Sequence, residues 1–139
     1  MQLRQTETRW IDIDSSFDEV FQSLSQPRNW LSWARKSLRK RGRQNEKWSF
    51  AETNWGVGEL QIEADVQRGE VNQRWKGAKD CWTIPVRLIS NGDGTTVVMT
   101  LPRYKEMSSE AYEKSLQDWM VDLKTIKWEL ERGEVMAGL

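Results

Sequence analysis

The feature that most narrows the fold is an apolar stripe near the C-terminus. In SSEAYEKSLQDWMVDLKTIKWELERG, residues 108–133, the positions Tyr112, Leu116, Trp119, Leu123, Ile126 and Leu130 are spaced 4, 3, 4, 3 and 4 apart. That spacing draws one continuous seam along a helix of 3.6 residues per turn. Met120 widens the seam. Ser108 or Ser109 can cap the helix. With Ser108 as the cap, Met107 and Tyr112 stand at N′ and N4, where they can close a hydrophobic staple. Gly133 stands where a helix-ending glycine would. A helix with so long an apolar face needs a partner surface of equal length, and the rest of the chain can supply it only as a sheet.

The sheet is legible between residues 46 and 104, where the hydrophobic period drops to two. KWSFAET places Trp48 and Phe50 in phase, with Glu52 following on the same face. ELQIEADV puts Leu60, Ile62, Ala64 and Val66 on one face and four polar residues on the other. EVNQRWK groups Val71, Gln73 and Trp75. CWTIPVRLIS groups Trp82, Ile84, Val86 and Leu88. After the turn Asn91-Gly92-Asp93-Gly94, a strong hairpin signal, TTVVMTLPR groups Val97, Met99 and Leu101. Short turns and no helical crossovers imply antiparallel order. Ahead of this block, residues 3–14 read as an opening strand. FDEVFQSL, capped by Ser15 or Ser16, and PRNWLSWARKSL, opening on Pro27, read as two short helices. The expected class is α+β: a curved antiparallel sheet of about six strands around a long C-terminal helix, with two short helices after strand 1. Residues 1–139 read as one domain, with no repeat, linker or low-complexity tract.

Composition decides what chemistry such a domain can carry. Leu, Ile, Val and Phe number only 29 of 139 residues, and nine Trp supply the missing core volume. There is no His, so Ser-His-Asp and Cys-His mechanisms and His-ligated metal sites are excluded. Cys81 is the single cysteine, so the chain has neither an internal disulfide nor a CxxC site. A lone thiol, no apolar leader and no apolar run near the roughly 20 residues of a membrane helix fit a cytoplasmic protein without a membrane span. No metal, no cofactor and no catalytic residue set is expected.

Three segments carry a resemblance to a known family. They are IDIDSSFDEVFQSLSQPRNWLSWA, IPVRLISNGDGTTVVMTLPR and MSSEAYEKSLQDWMVDLKTIKWELE. In this order the chain resembles the SRPBCC or START-like superfamily, the helix-grip fold, over nearly its whole length. Trp33 stands at that superfamily's usual tryptophan. Pro85, Arg87, Asn91, Gly92, Gly94 and Thr95 match the PxR…NGxGT hairpin of a bacterial subgroup; Met107, Ser108, Asp122, Leu123 and Lys124 match its MS…DL..LK helix. The resemblance implies a curved sheet gripping the C-terminal helix with an apolar cavity between them. It does not bring a reaction with it, because the superfamily holds lipid carriers, polyketide cyclases, ring-hydroxylase subunits, hormone receptors and chaperone-ATPase activators.

The candidate ligand cavity follows from phase. Its expected lining is Trp48, Phe50, Ile62, Gln73, Trp75, Trp82, Met99, Trp119 and Met120, with Gln73 or Arg87 holding any polar end of the ligand. A buried amide needs a partner, which favours Gln73. Strict alternation from Trp82 puts Arg87 on the outer face; a bulge at Pro85 would turn it inward. Acid–base chemistry would have to come from carboxylates, of which Glu52 is the one in phase, or from Tyr104, Tyr112 or Lys. The run ARKSLRKRGR, with Arg35, Lys36, Arg39, Lys40, Arg41 and Arg43, reads as a solvated helix end and loop. A nucleic-acid partner is disfavoured because the whole chain is neutral, 21 cations against 21 anions. The expected function is binding or transport of a small hydrophobic or aromatic molecule. The alternatives are a metal-free cyclase or dehydratase on the same cavity and a protein-interaction module resembling the chaperone-activator domains.

Overall fold

The computed structural model describes residues 3–44, 49–54, 56–78, 80–104 and 106–137, with the side chains of 40–50 and 134–137 left aside. The chain runs β1 (Thr6–Ile13), α1 (Phe17–Leu24), α2 (Pro27–Trp33), β2 (Arg39–Gln44), β3 (Ser49–Thr53), β4 (Gly56–Asp65), β5 (Glu70–Gly77), β6 (Cys81–Ile84), β7 (Val86–Asn91), β8 (Gly94–Pro102) and α3 (Ser109–Ala137). One antiparallel sheet has the order β1-β8-β7-β5-β4-β3-β2, with β6 paired to β5 beside that path. It curls into a half-barrel around α3, the α+β class that the periodicity predicts.

The seam of α3 is buried as its spacing requires: Tyr112, Leu116, Trp119, Leu123, Ile126 and Leu130 all face the sheet. Ser108 caps the helix, its Oγ accepting from the Ala111 N–H at 3.1 Å. Met107 is buried beside Tyr112 in the core, and the Tyr112 hydroxyl donates to the Leu101 carbonyl. Farther along, the Lys127 ammonium donates to the Asp12 carbonyl at 2.8 Å, and the Asp14 N–H donates to Glu131 at the same distance, fastening the helix to the end of β1. In α1, Ser16 is the cap, accepting from Glu19.

Asp122 explains its place in the sequence motif. Its carboxylate is buried on the inner side of α3 and accepts from the main-chain N–H groups of Lys36 and Ser37, at 3.1 and 2.7 Å. Two donors that no helix or strand satisfies are thereby paired, and the turn after α2 is pinned to α3. Burial raises the Asp122 pKa above the usual carboxylate value, against the lowering effect of these hydrogen bonds.

Three sequence expectations are corrected. The basic run is not a helix end and loop: α2 stops at Trp33, and Arg39–Gln44 forms the edge strand β2, paired to β3. Cations on an edge strand discourage pairing with another sheet. Arg39 turns onto the Thr53 carbonyl and, at 3.8 Å, onto Glu52. The parity of β3 is also opposite to the expected one. Ala51 and Thr53 are its buried positions, and Glu52 is half-buried in its ion pair with Arg39. Finally, α3 continues past Gly133 to Ala137. Gly133 ends no helix because it keeps a negative φ, and a glycine stop needs the left-handed conformation. By contrast, Gly92 takes φ 58° in the β7–β8 turn, as that hairpin requires.

Candidate functional site

The site lies where the curl of the sheet opens beside the start of α3. Trp75 on β5 and Trp82 on β6 are direct cross-strand partners on the concave face. Their rings stack at 5.7 Å between centroids and 6° between planes. Two glycines make room for the stack. Gly58 on β4 and Gly77 on β5 are register partners. A Cβ on Gly58 would come within 3.0 Å of both indoles, and one on Gly77 within 3.0 Å of Trp82. The pair is a shelf without side chains under two tryptophans. Tyr104, just beyond β8, closes the other side of Trp82 edge-on, with centroids 5.3 Å apart.

An opening of about 580 Å³ lies against this aromatic group. Trp82, Tyr104, Met107 and Ala111 form its apolar wall, and the start of β4 and the β5–β6 turn contribute Val57 and Ala78. A second cleft of about 630 Å³ lies along β6, again touching Trp82 and Tyr104. Burial raises the Tyr104 pKa far above the ordinary phenol value, with nearby Arg4 pulling the other way. The phenol is therefore neutral at physiological pH.

The structure sorts the expected lining residues into three groups. Trp75, Trp82 and Gln73 come together on the concave face. Gln73 is fully buried between Ile62 and Ile84, its Oε1 accepting from the Trp75 indole N–H at 3.0 Å. Its Nε2 has no partner among the described residues. Ile62 and Met120 are half-buried at the margin of the core. Met99 and Trp119 are fully buried; Trp119 packs edge-on against Trp30 at 6.1 Å and serves the core. Trp48 and the Phe50 side chain lie outside the described residues. Arg87 is exposed on the convex face. The strand does break at Pro85, but the register does not shift. Gln73 pairs with Ile84 and Glu70 with Arg87 on the same diagonal, so alternation carries straight through the proline. Arg87 cannot orient a ligand in the cavity.

Sequence reasoning did not place Tyr104, Met107 and Ala111 at the site, nor the Gly58–Gly77 shelf. The glycines left a signal: Gly58 is in phase with Leu60 and Gly77 with Trp75, so two inward positions lack side chains. Tyr104 left none, because it follows the strand in a segment without periodicity.

No protein-family model matches the sequence, and no curated protein does. Solved structures do match over almost the full chain. An aromatase/cyclase from Streptomyces sp. R1128 superposes with TM-score 0.67 at 13% identity, covering 94% of this chain and 95% of that one. A START superfamily protein from Mycobacterium smegmatis gives 0.65 at 8% identity, over 91% and 97%. The Aha1 dimer from Colwellia psychrerythraea gives 0.64 at 18%, over 91% and 96%. The chain has the START-like, polyketide cyclase-like fold. At these identities the START-like neighbours share an architecture with this chain, and its chemistry has to be argued from its own residues.

No helix among the described residues is long and apolar enough to cross a membrane. Nor do three Cys, Asp or Glu side chains among them cluster closely enough to hold a metal ion.

Proposed function

We propose that the chain binds a small hydrophobic or aromatic molecule at the open end of the half-barrel, against Trp82, Tyr104, Met107 and Ala111. The observation that carries this reading is the state of Trp82. It points to the concave side, where its neighbours are buried, yet it remains half-exposed as the wall of an opening of about 580 Å³. Sites for small molecules are concave, mostly apolar and about 300–1,000 Å³ in size, with few polar groups. A flat apolar ligand would pack against the parts of Trp82 and Tyr104 that line the opening, and each such aromatic contact adds about 0.5–1.5 kcal/mol beyond area burial. Gln73 lies deeper on the same face, and its Nε2 is a donor for a ligand oxygen that reaches past the Trp75–Trp82 pair.

A metal-free cyclase-type activity would use the same opening. Its acid would be Tyr104, which burial keeps protonated. Binding is the simpler reading, and turnover of a bound compound separates the two. The binding test is a titration with neutral N-phenylnaphthylamine, followed by its fluorescence. The expected dissociation constant is on the order of micromolar. Ala111→Trp fills the opening from a half-buried position in the first turn of α3 and should weaken binding at least about tenfold while the fold persists. Equal binding by the variant would refute this site.

A further inference from the structure

We propose that the cleft between β6 and the end of β8 is a second binding site, adjoining the end pocket at Trp82 and Tyr104, and that it takes a small aromatic carboxylate. Its origin lies in two prolines. The β7–β8 register pairs Val86 with Met99 and Asn91 with Gly94. It extends one step further, to the Thr100 N–H donating to the Pro85 carbonyl at 3.0 Å. Two more residues along, Pro102 would stand opposite Thr83. An antiparallel ladder there needs the Pro85 N–H to reach Thr100 and the Pro102 N–H to reach Thr83. Neither proline has an N–H. So β6 keeps β5 as its one strand partner, and β8 parts from it. Main-chain groups two residues apart on a strand face the same edge. The N–H and C=O of Thr83 therefore face the cleft, as the carbonyl of Pro85 faces β8.

The chemistry of the walls selects the ligand. The cleft holds about 630 Å³. Tyr104 and Pro102 give it apolar surface suited to an aromatic ring, with Trp82 reaching it from the concave side. Arg4, Arg74 and Lys76 bring three cations against the single carboxylate of Glu59. Arg74 is committed to Glu63 at 2.9 Å. Arg4 lies over the Tyr104 ring, 5.5 Å from its centroid. Neither Arg4 nor Lys76 has an ion-pair partner among the described residues. A guanidinium, an ammonium and a strand-edge N–H are all donors, and two of them are charged. The complementary group is an anionic acceptor, and a carboxylate on a ring fits both halves of the cleft. Among the described residues, no cation lines the end pocket.

The test compares naphthoate with its neutral isostere naphthalenemethanol by calorimetric titration. The unmodified protein should bind naphthoate at least about tenfold more tightly than the alcohol, the equivalent of one charge-assisted hydrogen bond. Arg4→Gln/Lys76→Gln should remove that preference. Pro102→Ala returns a donor to β8 opposite Thr83. It should let β8 close onto β6, raising the melting temperature while abolishing naphthoate binding, and a misfolded variant cannot show both effects. The proposal is overturned if naphthoate does not bind, if acid and alcohol bind equally, or if the Arg4/Lys76 pair or Pro102→Ala leaves naphthoate affinity unaltered.

Discussion

Replacing Trp119 by Ala tests whether α3 is the filling of the half-barrel. Trp119 is 1% exposed, in the middle of the α3 seam, and meets Trp30 edge-on. Removing a buried indole exposes or empties roughly 150–250 Å² of contact. At about 25 cal/mol per Å² that is roughly 4–6 kcal/mol before relaxation, and measured Trp→Ala truncations in cores cost about 3–5 kcal/mol. The lost aromatic pair with Trp30 adds about 0.5–1.5 kcal/mol. A loss near 4 kcal/mol is a large part of the roughly 5–15 kcal/mol that stabilises a domain. With a urea dependence of about 2 kcal/mol per molar, the unfolding midpoint should fall by about 2 M. Trp128 on the same helix is the internal control. It is 57% exposed and touches Arg132 by a cation–π contact at 4.4 Å, so Trp128→Ala should cost no more than about 1 kcal/mol. The assay is equilibrium urea unfolding of both variants, followed by far-ultraviolet circular dichroism. Equal midpoints for the two variants would refute the packing argument.

Three further outcomes follow from single residues. Asp122→Ala should cost about 2–4 kcal/mol, because one buried and one part-buried main-chain N–H lose their acceptor; a thermal scan checks it. Asp122 also has a raised pKa in the folded state, so the native chain binds its proton more readily than the unfolded one. Its charged form therefore weighs against stability above the folded pKa, and that penalty lifts as pH falls through the folded pKa toward 3.8. The stability of the native chain relative to Asp122→Asn should rise on acidification over that window, and a fall would contradict the burial of the carboxylate. Cys81→Ser should keep the melting temperature within about 2 °C, since the thiol is exposed and outside the core.

The fold was legible where the sequence holds a strict period. The α3 seam, the β5 and β8 faces and the Asn91–Gly94 turn follow from spacing alone; the β4 face does so only at Leu60 and Ile62, since Ala64 and Val66, in the same phase, are exposed. Legibility failed where local signals compete. The run RKRGRQ has no alternation and a strong charge signal, so the pairing that makes it a strand comes from β3 and from the Asp122 clamp, both remote in sequence. Pro85 suggested a bulge, but its missing donor faces Thr100 on β8, and that one hydrogen bond is lost without a shift of register. The candidate site was half legible. Trp75, Trp82 and Gln73 share a phase and do meet, whereas Tyr104, Met107 and Ala111 arrive from the β8–α3 connection, which carries no period to read.

The most direct test of the binding reading is the indole N–H spectrum of the nitrogen-15-labelled protein during titration with N-phenylnaphthylamine. The Trp82 resonance, assigned with Trp82→Phe, should move progressively and saturate, while those of the exposed Trp10 and Trp128 stay in place. A Trp82 resonance that stays fixed while surface indoles shift would contradict a ligand site at the open end of the half-barrel.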